Sequence, residues 1–164
     1  MAPKSFVVSF RNTFIALFVI GSLATGCKRL GSESDVDPRE QYLGTYSGGA
    51  QISTNVGGVE YTPESHTIVI TVTKAANGNE VYLDKNYDNG GYTERVTAQL
   101  TGSTFKVIDK TRGIIRLNAI TQVEGDYSSQ GVLENNQIAM TSVTEARQSG
   151  AVVRLAESVN ATRK

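Results

Sequence analysis

Few side chains in this chain are suited to covalent chemistry: 164 residues include one cysteine, Cys27, and one histidine, His66. Cys27 follows Gly26 at the end of an apolar stretch, which presents its thiol directly after a small residue of the kind signal peptidases need before the cut. A single thiol has no internal disulfide partner. His66 comes after Glu64 and Ser65, residue types found together in hydrolytic sites. Neighbours along a strand point to opposite faces, however, so these three cannot converge. Catalysis at His66 needs partners from elsewhere, no Gly-x-Ser-x-Gly elbow is present, and His66 reads as an exposed strand-end imidazole. Asp84, Asn86 and Asp88 place oxygens at alternate positions before Gly90 and Gly91, as calcium loops do. The glycine falls one residue late and Arg95 stands where a bidentate acid is required, so the segment reads as a hairpin loop, with no metal or cofactor. Glu124 and Asp126 are close enough in sequence for acid and base work, but read as solvated carboxylates at a turn. The seven tyrosines remain, each offering a flat apolar face and a hydroxyl. Tyr87 and Tyr92 flank the Asn/Gly loop and are the aromatics expected to be exposed as a binding surface.

The elements that position these residues begin with the N-terminus. Lys4 and Arg11 precede an apolar run from Thr13 to Ala24, which is the charged-then-apolar order of an export signal. Spanning a hydrocarbon core takes about 20 apolar residues, and Arg11 and Asn12 shorten this run to roughly a dozen. Residues 1–26 are therefore read as a cleaved signal. Residues 27–39 are polar and charged, with no run able to form a core, and are read as a flexible tether. Sixteen basic and sixteen acidic side chains leave no net charge, and losing the signal with Lys4 and Arg11 shifts the balance only to −2. Neither value fits a nucleic-acid binder, which needs a basic excess on one face.

Leu23-Ala24-Thr25-Gly26-Cys27 resembles the lipobox of bacterial lipoproteins. The resemblance implies that the Cys27 thiol receives a diacylglyceryl group, that the chain is cut before it, and that the new amino group is acylated, for instance with palmitate. Several acyl chains at about 0.8 kcal/mol per buried methylene hold a protein durably to a bilayer. In that family an Asp after the cysteine favours inner-membrane retention; Lys28 stands there, which implies the outer membrane.

From Glu40 to Lys164 the sequence is dense in Val, Ile, Thr and Tyr, residues that suit a pleated, half-buried surface. Ile68, Ile70 and Val72 alternate, as do Val81 with Leu83, then Val96, Ala98 and Leu100. Asn77-Gly78, Thr101-Gly102-Ser103, Lys110 to Gly113, Gly125-Asp126 and Asn135-Asn136 read as breaks. Val153 and Leu155 make the last run a strand. The pattern predicts an all-β domain of eight to nine antiparallel strands, a meander barrel or a two-sheet sandwich, over residues 40–164.

Gln41-Tyr42-Leu43-Gly44-Thr45-Tyr46-Ser47-Gly48, with Gly131-Val132-Leu133-Glu134-Asn135-Asn136-Gln137-Ile138, resembles the lipocalin-like β domains of small bacterial lipoproteins. Lipocalins open with Gly-x-Trp and pack an arginine of the last strand over that ring. The resemblance implies Gly44-Thr45-Tyr46 as the equivalent, with Arg154 as the partner. The expected function is non-enzymatic: a lipid-anchored envelope protein whose partners are the membrane and a small apolar ligand, a glycan or an envelope protein. The competing classes are a hydrolase of envelope polymers, marked by carboxylates converging on His66, and a purely structural envelope component.

Overall fold

The computed structural model describes residues 36–164, and Asp37–Lys164 form one compact unit. Ten antiparallel strands follow a short 3-10 turn at Glu40–Tyr42: β1 (Gly44–Val56), β2 (Val59–Glu60), β3 (Glu64–Lys74), β4 (Glu80–Tyr87), β5 (Tyr92–Thr101), β6 (Thr104–Val107), β7 (Arg112–Arg116), β8 (Gln122–Glu134), β9 (Gln137–Gln148) and β10 (Ala151–Arg163). Eight of them run in the order β1-β3-β4-β5-β6-β8-β9-β10 and close on β1 through Tyr46↔Arg163 to Val56↔Val153. The result is a closed meander barrel, with β2 appended to β1 and β7 to β8. The all-β barrel expected from alternation is what forms, with one strand more than the upper expectation. Gly125-Asp126, expected as a break, lies inside β8 and pairs with β7 through Gly113↔Gly125 and Arg112↔Asp126. Gly125 is there for space: a Cβ on it would lie 2.3 Å from the Glu145 carbonyl oxygen.

Turn chemistry closes the long hairpins. Asn135 and Asn136, at φ 51° and 60°, form the tight connection from β8 to β9, in the left-handed region Asn tolerates. Gly48 is demanded by closure, because a Cβ on it would stand 2.0 Å from the Asn160 carbonyl oxygen of the facing strand.

One end of the barrel is latched. Arg39 is buried and donates through Nη1 to the carbonyls of Ala75 (3.0 Å), Asn77 (2.5 Å) and Glu80 (3.0 Å), while its Nε and Nη2 hold Asp37. Asp37 to Arg39, expected as the end of the tether, thus belong to the folded unit. Tyr42 donates to the Gly102 carbonyl at 3.1 Å and Tyr46 to that of Tyr42 at 2.8 Å. The arginine beside Tyr46 is Arg163 and not Arg154. Arg163 faces Tyr46 in the β1–β10 register and donates to the carbonyls of Gln41 and Leu43. Arg154 is exposed, since it lies one residue out of the inward register of Val153.

The main core fills the interior next to this latch. Ile70, Val81, Leu83, Ala98 and Leu133 are fully buried, with Tyr46, Phe105, Ile138 and Met140 packed among them. A smaller apolar cluster of Ile115, Ala146 and Val153, covered by Val56, Leu117, Val123 and Leu155, lies at the far ends of the long strands under β7.

Candidate functional site

Between these clusters the inward register turns polar. Reading inward positions along β9 gives Ile138, Met140, Ser142, Thr144 and Ala146; β10 gives Ala161, Val159, Glu157, Leu155 and Val153. β4 carries Val81, Leu83, Lys85 and Tyr87, and β5 carries Leu100, Ala98, Val96 and Glu94. Strand pleating sends each of these side chains inward whatever its polarity. The polar ones therefore meet as a belt inside the barrel.

Its centre is Lys85, whose side chain is 2% exposed. The ammonium donates to Glu94 Oε2 at 2.5 Å, and Lys110, from the loop between β6 and β7, donates to the same carboxylate through Oε1. Burial opposes charge on Lys85, but Glu157, Tyr127 and Glu94 outweigh it and raise its pKa. Burial likewise opposes the Glu94 charge, and Lys85 and Lys110 reverse that and lower its pKa. Lys85 and Glu94 therefore each favour the ionised form. Tyr87 donates to Glu157 Oε1, and its pKa is driven far above the usual phenol range by burial first and the Glu157 charge second. On the opposite wall Tyr127 donates to Ser142 Oγ at 3.3 Å, and Ser142 to Ser129 Oγ at 3.0 Å. The Lys110 ammonium lies 4.2 Å from the Tyr127 ring centroid, within cation–π range.

The sequence-derived candidates distribute unevenly about this belt. Tyr87, expected at the surface, is 7% exposed, because it shares the register of Val81 and Leu83 and the turn begins only at Asp88. Tyr92 is 56% exposed, its ring centroid 5.6 Å from that of Tyr87. The pair thus runs from the belt to the surface. Cys27 lies outside the described residues.

His66 stands at the rim of the same end, in the register of Ile68 and Ile70. Its Nδ1 is 2.6 Å from Asp88 Oδ2 and its Nε2 3.6 Å from Glu64 Oε2. The Asp88 hydrogen bond is the main reason the imidazole pKa is raised. Two carboxylates do converge on His66, but Ser65 is exposed in the opposite register and is not among its partners. The arrangement favours the protonated imidazole, and among the described residues the His66 partners are these two carboxylates. Asp88 also accepts from the Thr67 N–H at 2.9 Å, whereas Asp84 pairs with Arg95 at 2.6 Å, so these two carboxylates of the calcium-like spacing are held by separate partners, while Asn86 Oδ1 between them is buried without a hydrogen-bond partner. Glu124 and Asp126 both bind Arg112 on the outer face.

Sequence reasoning missed Lys85, Glu94, Lys110 and Glu157. The available signal was a charged residue in the inward register of an otherwise apolar alternation: Lys85 two after Leu83, Glu94 two before Val96, Glu157 two after Leu155. Lys110 has no such signal, since it lies in a loop.

No family model matches the chain, and no curated protein matches it. Among solved structures it is similar to a protein of unknown function from the DUF3598 family of Nostoc punctiforme, with 15% identity, coverage of 74% of this chain and 48% of that one, and a TM-score of 0.35. The chain thus spans about half the length of that protein. The class defined by the fold and site is a closed antiparallel β-barrel with a charged belt inside it.

Proposed function

We propose that this chain is a lipid-anchored envelope protein, attached to the outer membrane through Cys27, whose barrel binds a small polar ligand at the belt without covalent chemistry. The observation that carries the binding reading is the buried Lys85 ammonium. Burying an ion pair is costly, and apolar replacements of similar volume are often neutral or stabilising by about 1–4 kcal/mol. A barrel serving only as scaffold gains nothing from this belt, whereas a site that must recognise polar groups needs convergent donors and acceptors out of water. The latched end is occupied by its own aliphatic side chains, which favours a polar ligand over the small apolar ligand named among the expected partners. The non-catalytic reading rests on His66, held between two carboxylates with no hydroxyl partner.

Anchoring is tested by growing Gram-negative cells that express the full chain with radiolabelled palmitate. The wild type should be labelled and Cys27→Ser should not; an unlabelled wild type defeats the anchor. For binding, saturating small polar solutes should raise Tm by several degrees through mass action. Stabilisation by palmitate alone, with all polar solutes silent, would reverse the ligand class.

A further inference from the structure

We infer that the belt receives a ligand's ammonium group at the place now held by the Lys110 side chain. The inference rests on the polar-ligand reading and narrows it to one chemical class.

The Lys110 ammonium sits on Glu94 Oε1 and against the Tyr127 ring, 4.2 Å from its centroid. A carboxylate beside an aromatic face is a cation site in its own right. Glu94 carries two cations, and they are not equivalent. Lys85 is fixed in the middle of β4 at 2% side-chain exposure, whereas Lys110 is on a loop at 28% and is reached from solvent. The loop backbone is pinned on both sides of Lys110. The Ile108 N–H donates to the Thr97 carbonyl at 3.0 Å, Asp109 Oδ2 accepts from the Thr97 N–H at 2.8 Å, and the Tyr127 N–H donates to the Thr111 carbonyl at 2.8 Å. The Lys110 side chain can therefore swing into water while the chain around it stays in place.

The strand ladder of the wall is interrupted at this point. β5 pairs with β6 only from Ala98 onward, and among the described residues β7 pairs with β8 alone. Glu94 thus lies on a stretch of β5 with no strand beside it on that side.

Charge selects the ligand. Lys85 and Lys110 balance Glu94 and Glu157, so withdrawing Lys110 leaves one uncompensated negative charge in a poorly solvated site. A monocation restores the balance, and an anion worsens it. Tyr92 and Tyr127 provide apolar faces for a short carbon body. The ligand class is a small primary or methylated amine, of which the lysine side chain is itself an example.

The test is chemical rescue in the full-length chain purified in detergent. Lys110→Ala removes the equivalent of n-propylammonium while leaving the Lys85–Glu94 pair. Calorimetric titration with n-propylammonium chloride, against sodium chloride at equal ionic strength, should show binding to Lys110→Ala at least tenfold tighter than to wild type. Adding Glu94→Gln should abolish it. Should that double variant unfold by circular dichroism, Tyr127→Leu in the Lys110→Ala background keeps the buried pair and should weaken binding at least tenfold. Equal or absent amine binding in wild type and Lys110→Ala, with Tm raised by acetate or glucose, overturns the ammonium assignment and leaves the polar-ligand reading standing. Silence toward amine, acetate and glucose alike overturns both.

Discussion

The latched end of the barrel interior and the belt beyond it are lined by the same strands in one unbroken register, yet they obey different energetics. At the latched end, Ile70, Val81, Leu83 and Leu133 lose all contact with water and gain close packing. In the belt, Lys85 and Glu94 lose water too, and their charges are held by each other, Lys110 and Glu157 instead of by solvent. The first region is bought by burial, about 25 cal/mol per Å² of apolar surface. The second is stable only while its charges stay paired. The difference teaches where to look for function in a barrel: at the inward positions that burial alone would have filled with aliphatics.

Breaking the pair should have the largest effect. Glu94→Gln leaves the Lys85 ammonium buried beside Lys110 with no carboxylate between them, and should cost about 3–5 kcal/mol in urea unfolding. The sharper form of this comparison is the double variant Lys85→Met with Glu94→Leu, which should recover most of that loss while binding disappears. If the double variant is as unstable as the single one, the belt is structural and the contrast between the two regions collapses.

At the latched end the expectation is of the opposite kind. Leu83→Ala should cost about 2–5 kcal/mol, because the fully buried site is held by two neighbouring strands and cannot collapse onto the cavity. No accompanying substitution of a neighbour to a polar residue should repair it. A loss below about 1 kcal/mol in the same urea assay would mean that this end is loosely filled and open to an apolar ligand after all.

The smallest effect belongs to the rim. The His66 pKa is raised above its ordinary 6.5, chiefly by the Asp88 hydrogen bond, so the folded state holds the proton more tightly than the unfolded one. The stabilisation is fully present below about pH 6.5 and is lost as pH rises through the higher folded value. Asp88, lowered mainly by the same bond, loses its share only as pH falls through its depressed value in acid. Both groups are partly exposed, so solvent screening keeps the change small. Urea midpoints at pH 5.5 and pH 9 should differ for the wild type and coincide for His66→Gln; a pH-dependent His66→Gln would move the effect to another group.

How much was legible follows from how local each signal is. Strand alternation is local, so β3, β5 and β9 could be read from Ile68-Ile70-Val72, Val96-Ala98-Leu100 and Ile138-Met140. Asn135-Asn136 is local as well, and turns the chain where expected. Gly125-Asp126 misled because the glycine there answers a neighbour twenty residues away, the Glu145 carbonyl, and not a turn of its own. The resemblance implied Arg154, whereas the β1–β10 register, which no local pattern reveals, places Arg163 opposite Tyr46. Tyr87 was placed outside because Asp84 to Gly91 read as a hairpin loop, whereas β4 continues to Tyr87 and keeps it in the inward register of Leu83.

The sequence by itself determined an all-β chain, its hairpin succession and its aliphatic interior, because pleating and turn conformation are properties of a few consecutive residues. Tertiary structure alone decided that Lys85 of β4, Glu94 of β5, Lys110 of a loop, Tyr127 of β8 and Glu157 of β10 share one space. Their meeting depends on closure of the sheet, and closure fixes distances between residues far apart in the chain that no local pattern encodes.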